Sequence, residues 1–279
     1  IPIDHNFVLS SRAALVLEEL PETMVVVGSG AIGSEFAFLY ASLGGKVTGG
    51  EYMPQFMPLL DAEVSAAAER AFRRQRITVM TDTAVKGVAV ADGKCVVEVE
   101  QRGEAKQIVA DKVLSAVGIK SNIEGLYLDR IGVRVERDKI VVDSDFRTSV
   151  PSIYAVGDII SSPALAHIAS AEAVNCVERI FGLSPKALDY ALTPACIFTT
   201  PEIASVGLTE EQAQKQGVNY KVARYNFASS GKAAAAGDRD GFIKLIFDAE
   251  NKLRGAHIIG ANVVEMLGEP SVAMALGAT

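Results

Sequence analysis

Met24-Val25-Val26-Val27-Gly28-Ser29-Gly30-Ala31-Ile32-Gly33 decides the fold. The first four residues are apolar on both faces, as a central parallel strand requires. The glycines follow as GxGxxG. Ile32, Phe36, Leu39, Tyr40 and Leu43 then recur at helical spacing, and Gly44-Gly45 ends the helix. A strand, a glycine turn and a helix in that order open a dinucleotide-binding βαβ unit. Gly28 makes the tight turn, Gly30 lets backbone approach a pyrophosphate, and Gly33 permits close helix–strand packing. Ala31 and Ile32 begin the helix, whose N-terminus offers main-chain N–H groups and a positive dipole end to phosphate. Glu51 stands 18 residues after Gly33, where the ribose-reading acid belongs. A carboxylate there accepts from a ribose 2′-OH and repels a 2′-phosphate. No Arg follows in Tyr52-Met53-Pro54, so the pattern favours NAD over NADP. Gly49-Gly50 is irregular, because Gly weakens a strand interior.

The neighbouring segments continue this architecture. Val47-Thr48 begins a second strand, and Asp61 caps a helix burying Val64, Ala67, Ala68, Ala71 and Phe72. Ile77–Met80 is a third strand, giving a doubly wound parallel sheet. Val85–Val90, the Asp92-Gly93 turn and Val96–Val99 read as an antiparallel insert, with Ile108-Val109 as a further strand. Val113–Gly118 returns to the buried sheet. An exposed hairpin follows within Asp129–Asp143, turning near Arg137-Asp138. Ile153–Val156 reads as a short strand ending at Gly157-Asp158. The next helix runs to about Phe181, with Ala173, Val174, Val177, Ile180 and Phe181 as its expected buried face. Thr209-Glu210-Glu211-Gln212 is a capping box for a helix ending at Gly217. Tyr220–Phe227, Phe242–Phe247 and Ala256–Ile259 suggest an antiparallel sheet, and a last helix begins near Asn262. The expected domains are 11–118, 119–188 and 189–279.

Composition narrows the function classes. The 279 residues carry 27 Lys and Arg against 34 Asp and Glu, a net charge of −7, which excludes a basic nucleic-acid surface. No signal peptide is visible, and the glycines between Met24 and Gly45 argue against a membrane span. Ile1-Pro2-Ile3-Asp4-His5 lacks a Met and reads as a start inside a longer protein. Cys95, Cys176 and Cys196 exclude a disulfide framework and form no CxxC or CxxxxC pair. They read as small structural hydrophobes in a reducing, cytoplasmic compartment. No metal-ligand cluster is expected.

With these residues placed, the whole chain resembles the flavoprotein pyridine nucleotide-disulfide reductases. Within them it is most similar to the branch that oxidises dihydrolipoamide. The likeness is carried, in order, by Val27–Ala37, by Ser115-Ala116-Val117-Gly118 with Asn122, and by Thr148–Asp158. Ala164-Leu165-Ala166-His167, Phe198–Glu210, Gly231-Lys232-Ala233, Asp240–Leu245 and Gly255–Gly260 continue it. Ile119-Lys120-Ser121 departs from the family's Arg-x-Pro.

The resemblance implies an NAD domain, a returning segment of an FAD domain and an α+β dimerisation domain. It implies that Gly28, Gly30, Ala31, Ile32, Gly33 and Glu51 hold NAD. Gly118, Gly157, Asp158, Leu165, Ala166 and His167 would belong to the FAD site. Asp158 would bond the ribityl chain, although on the residues alone Gly157-Asp158 is an ordinary turn. His167 would act through its main chain. Glu35 would lie beside the nicotinamide and pair with a Lys outside this chain. The family's redox cysteine pair and His base have no counterpart here. The implied reaction passes electrons from dihydrolipoamide through a dithiol and FAD to NAD⁺. The implied partners are a second copy of the chain and the lipoyl domains of 2-oxo acid dehydrogenase or glycine cleavage complexes. The alternatives are a sister reductase of mercuric reductase or soluble transhydrogenase type, or a non-catalytic NAD-binding and dimerisation module.

Overall fold

The apolar run after Thr23 becomes the middle strand of a parallel sheet because both of its faces find a core. In the computed structural model, which describes residues 1–279, β1 (Val8–Leu9) and α1 (Ser11–Ala14) precede β2 (Thr23–Val27). α2 (Ala31–Ser42), β3 (Lys46–Gly50), α3 (Ala62–Arg74) and β4 (Thr78–Met80) follow. A three-stranded antiparallel insert, β5 (Thr83–Ala91), β6 (Lys94–Gln101) and β7 (Glu104–Ala110), leads to β8 (Lys112–Ser115). The parallel sheet has the order β1-β8-β2-β3-β4. Val8–Leu9 joins it ahead of residue 11, pairing with Val113 and Leu114.

Met24 and Val26 point into one core, with Leu9, Phe36, Tyr40, Phe72 and Leu114. Val25 and Val27 point into another, against Cys95, Val97 and Val99 of the insert. This period of two is what a strand buried on both faces predicts. Each fully buried side chain of this size contributes about 1.5–3 kcal/mol. Gly49 and Gly50 lie within β3, paired with Val26 and Val27 on one side and with Val79 and Met80 on the other.

Of the five apolar residues that recur at helical spacing along α2, only two are buried. Phe36 and Tyr40 are buried, but Gly33, Ser34 and Ala37 share that face, while Ile32, Leu39 and Leu43 are exposed. The sheet admits α2 closely enough that a Cβ on Gly33 would lie 1.9 Å from the Gly28 carbonyl oxygen. Small residues therefore take the sheet-facing side, and the larger apolar ones turn outward.

The molecule divides into two units, residues 1–118 with 194–279 and residues 119–193. The smaller unit contains β9 (Val135–Glu136) and β10 (Lys139–Ile140), joined by Arg137 and Asp138 at φ 47° and 71°. This is the expected exposed hairpin, on a two-residue turn with both central φ positive. It also contains α4 (Ala166–Ile180), packed on Val133, Ile140, Phe146, Ala155 and Ile160 through Cys176.

The strand expected at Ile153–Val156 does not form. Only Tyr154 pairs, in an isolated bridge with Arg147. The expected face of α4 is also reversed: Val174, Val177, Ile180 and Phe181 are exposed, and Ile168, Glu172, Asn175 and Cys176 are buried. The polar residues of this face have internal partners. Asn175 donates to the Lys186 carbonyl at 2.8 Å, and Arg179 pairs with Asp145 at 2.6 Å.

The chain then re-enters the larger unit. β11 (Ala195–Ile197), β12 (Glu202–Gly207), α5 (Glu210–Lys215), β13 (Tyr220–Asn226), α6 (Gly231–Ala236), β14 (Phe242–Asp248) and β15 (Leu253–Gly260) follow in order. The strands form an antiparallel sheet of order β11-β12-β15-β14-β13. Thr209 and Gln212 make both bonds of the expected capping box. The last helix is two, α7 (Val263–Met266) and α8 (Gly268–Ala275). Ile197, Ile203, Phe242 and Ile259 share the apolar core of the parallel sheet.

An ionic cluster around the buried Lys244 and Asp61 joins the same two parts of this unit. Lys244, 1% exposed, pairs with Asp61 (2.9 Å), Glu210 (2.6 Å) and Glu63 (3.5 Å). Burial alone pulls the Lys244 pKa down; its hydrogen bonds to Glu210 and Asp61 outweigh this and hold it above the usual lysine range. No helix is long and apolar enough to cross a membrane.

Candidate functional site

The glycine loop sits at the C-terminal end of β2, where open α/β sheets meet ligands. Gly28 has φ 99°, and a Cβ there would approach the Ala116 carbonyl oxygen to 2.5 Å. Only glycine fits this turn. Above Gly30 the situation is opposite: an added Cβ meets nothing within 4 Å. That open face, beside the exposed Ala31 and Ile32, gives a pyrophosphate access to the main chain. Helix α2 begins without a side-chain cap and without an acid in its first turn. By contrast, α3 and α5 are capped by Asp61 and Thr209 and carry Glu63, Glu210 and Glu211 in their first turns. An uncapped N-terminus free of negative charge suits an anion.

Glu51 closes the far side of the loop, directly after β3. It is 7% exposed, and its carboxylate is held by three donors. The Ser29 main-chain N–H and hydroxyl donate to Oε2 at 2.8 and 2.7 Å, and the Met53 N–H donates to Oε1 at 2.9 Å. The fit to a dinucleotide is therefore favourable in steric and polar terms: an open glycine, an uncapped helix and an acid at the ribose position. Gly28, Gly30, Ala31, Ile32, Gly33 and Glu51, singled out from sequence, are brought together. The role of Ser29 was missed, and its only sequence signal is a hydroxyl inside GxGxxG.

Glu35, half-buried on α2, accepts a 2.9 Å hydrogen bond from the main-chain N–H of Phe198. Its partner in this chain is thus a backbone group just after β11, where the resemblance implied a Lys.

A second cradle lies in residues 119–193. Gly157 has φ 76° and opens a short 3-10 turn with Asp158. The Asp158 carboxylate is exposed and makes no hydrogen bond within the chain, while its carbonyl accepts from Lys139 Nζ (2.5 Å) and Ser121 Oγ (3.4 Å). Behind the turn, Glu172 is wholly buried. Its Oε2 accepts from the Gly157 N–H at 2.6 Å and its Oε1 from the Tyr190 hydroxyl at 2.7 Å. Burial, then the bond to Glu172, pushes the Tyr190 phenol up to about 12.

Leu165 occupies the N-cap of α4 and makes no side-chain cap, and the first turn carries no acid. Ala166 and His167 are exposed there. This wall offers a carboxylate and a helix N-terminus, donors and acceptors that suit a flavin nucleotide. Gly118, with φ 134°, lies at the end of the larger unit and is exposed. Sequence reasoning missed Glu172, although Ile168, Glu172 and Cys176 stand at i, i+4 and i+8 and mark the true inner face of α4.

Cys95, Cys176 and Cys196 are free thiols, each raised by burial above the usual cysteine range. His257 is 2% exposed, and its Nε2 lies 2.8 Å from the Leu208 carbonyl; burial lowers its pKa. No group of His, Cys, Asp and Glu could hold a metal.

Comparison with known proteins shows the family. Residues 3–173 match the pyridine nucleotide-disulphide oxidoreductase family, and residues 193–279 match its dimerisation domain. The dihydrolipoyl dehydrogenase of Chlorobaculum tepidum is 46% identical over 278 residues, 99% of this chain and 59% of that protein. The dihydrolipoyl dehydrogenase of Bacillus subtilis is 37% identical over 282 residues, 100% of this chain and 60% of that protein. The chain therefore spans about three-fifths of the length of these curated relatives. The HOCl-induced flavoprotein disulfide reductase RclA from Escherichia coli, in a Cu(II) complex, has a TM-score of 0.91 at 26% identity, over 100% of this chain and 63% of that chain. LpdA from Mycobacterium tuberculosis has a TM-score of 0.88 at 24% identity, over 97% of this chain and 59% of that chain, a likeness of fold. The chain belongs to the pyridine nucleotide-disulphide oxidoreductase family.

Proposed function

We propose that the chain supplies the NAD site, one wall of the FAD site and the dimerisation surface of an NAD-dependent dihydrolipoyl dehydrogenase. The observation that carries this reading is Glu51, a carboxylate fixed beside the glycine loop by Ser29 and Met53. Gly28, Gly30, Ala31, Ile32 and Gly33 bind the pyrophosphate, and Glu51 accepts from the adenosine ribose. Asp158, with Gly157, Leu165, Ala166 and His167 of the smaller unit, faces FAD. FAD, when bound, supplies the hydride relay between a dithiol and NAD⁺. The residues described here bind and orient the two nucleotides. Glu35 lies on the nicotinamide side, held by the Phe198 N–H.

The proposed partners are a second copy of the chain, through residues 189–279, and lipoyl domains of 2-oxo acid dehydrogenase or glycine cleavage complexes. A cytoplasmic setting accords with the three free cysteines. Because Cys95, Cys176 and Cys196 are separate free thiols and form no CxxxxC pair, the 279-residue chain alone should not turn over dihydrolipoamide. Calorimetric titration tests the site. NADH should bind more tightly than NADPH, and Glu51→Gln should narrow that preference by about tenfold, as loss of a charged hydrogen-bonding group implies. Equal affinity for the two nucleotides in the unaltered chain would overturn the reading, as would dihydrolipoamide turnover by this chain for the assignment of its thiols.

A further inference from the structure

We propose that Ser29 is a positioning residue that fixes the Glu51 carboxylate and thereby sets dinucleotide selectivity. This rests on the reading of Glu51 as the ribose acceptor. Ser29 is 5% exposed, and all of its polar groups are engaged. Its N–H and O–H both donate to Glu51 Oε2, at 2.8 and 2.7 Å. Its Oγ accepts from the Met57 N–H at 2.9 Å, and its carbonyl accepts from the Ser34 hydroxyl at 3.0 Å. One hydroxyl thus pins three pieces together: the glycine loop, the acid after β3 and the segment from Tyr52 to Leu60.

That segment has little regular structure of its own. Met57 is buried at φ 48°, and Phe56 packs edge-on against Phe72 with ring centroids 5.1 Å apart. The Phe56 carbonyl accepts from the Ser65 hydroxyl. The Ser29 hydroxyl is the side-chain contact between this segment's main chain and the glycine loop.

The consequence for recognition follows from counting acceptor positions. A carboxylate offers about four lone-pair sites, two on each oxygen. Ser29 occupies both on Oε2, and Met53 occupies one on Oε1. Oε1 keeps one site, so Glu51 reads a single ribose hydroxyl through a single oxygen of fixed position. A carboxylate clamped in this way also holds its charge in one place against a 2′-phosphate. Without the Ser29 hydroxyl, Oε2 regains an open site, the buried Met57 N–H loses its acceptor, and the acid is free to turn away.

Fluorescence titration of the chain with NADH and with NADPH tests this, alongside thermal melting. Ser29→Ala should weaken NADH binding about three- to tenfold, the range for one charge-assisted hydrogen bond, and leave NADPH binding unchanged or tighter. In a Glu51→Gln background, Ser29→Ala should move the NADH-to-NADPH ratio no further, because both act through one group. Ser29→Cys, which keeps the volume and weakens the donor, should show the same narrowing and serves if the alanine variant does not fold. A lower melting temperature with an unaltered ratio would overturn the proposal, leaving Ser29 a purely structural bond. An additive effect in the Glu51→Gln background would overturn it as well. If the unaltered chain bound neither nucleotide, the reading of Glu51 would fail and this inference with it.

Discussion

The glycine loop after β2 and the glycine turn before α4 both lead to a helix N-terminus without a side-chain cap, yet their carboxylates are placed in opposite ways. At the first, Glu51 is buried and three donors from the loop and its neighbour hold it. At the second, the acid in front, Asp158, is exposed with no partner in the chain, and the buried acid, Glu172, works from behind. The first cradle is shaped by its own residues before any ligand arrives. The second has a rigid back and an open front. Preorganisation of this kind lowers the ordering cost of binding, so the contrast sets the expected order of affinities.

Gly33→Ala should have the largest effect. Its Cβ would stand 1.9 Å from a backbone carbonyl, a contact no side-chain rotation relieves. The cost should reach or exceed the upper end of the ~1–3 kcal/mol typical of overpacking. NADH binding should be lost with it. Denaturant titration that leaves the stability unchanged would break the account of the first cradle.

Glu172→Ala comes next. It strands the Gly157 N–H and leaves a cavity, with an expected loss of about 2–4 kcal/mol. Gly157→Ala should cost about 1–2 kcal/mol, because the residue is held at φ 76° while the added Cβ meets only Ala169, its Cβ at 3.1 Å and its Cα at 3.9 Å. If Gly157→Ala proved worse than Gly33→Ala, the ranking of the two cradles would be reversed.

The smallest effect belongs to pH. Tyr190 is raised from 10 to about 12 in the folded chain, by burial and by its bond to Glu172. Its contribution to stability is complete below pH 10 and is lost as pH rises toward 12. Glu172→Gln still accepts from Gly157 and can donate to the Tyr190 oxygen, so it should be mild at neutral pH. It should flatten the alkaline loss, which denaturation midpoints between pH 9 and about 12 would read.

The first cradle could be read from sequence almost residue by residue, because GxGxxG and the acid after the next strand are local signals with fixed spacing. The parallel sheet, the insert and the capping box were equally local. What could not be read was the direction in which helices face. α4 was expected to bury its apolar residues, and in α2 the apolar residues recur at helical spacing. In α2, backbone contact at Gly33 selects a face of small residues and exposes Ile32 and Leu39. In α4, partners distant in sequence make Glu172, Asn175 and Arg179 better inner residues than Val174 and Val177. Hydrophobic periodicity counts apolar positions and is blind to a polar side chain whose partner lies elsewhere in the fold. The same blindness hid Glu172 and the contacts of Ser29. The absent strand at Ile153–Val156 has a related cause, since a short apolar run becomes a strand only with neighbours to pair along its length.

The most direct test of the central contrast is a side-by-side equilibrium titration of one preparation with NADH and with FAD. The preformed loop around Glu51 predicts saturable NADH binding at one nucleotide per chain and markedly weaker FAD binding. Stoichiometric, tight FAD with no measurable NADH binding would contradict the account.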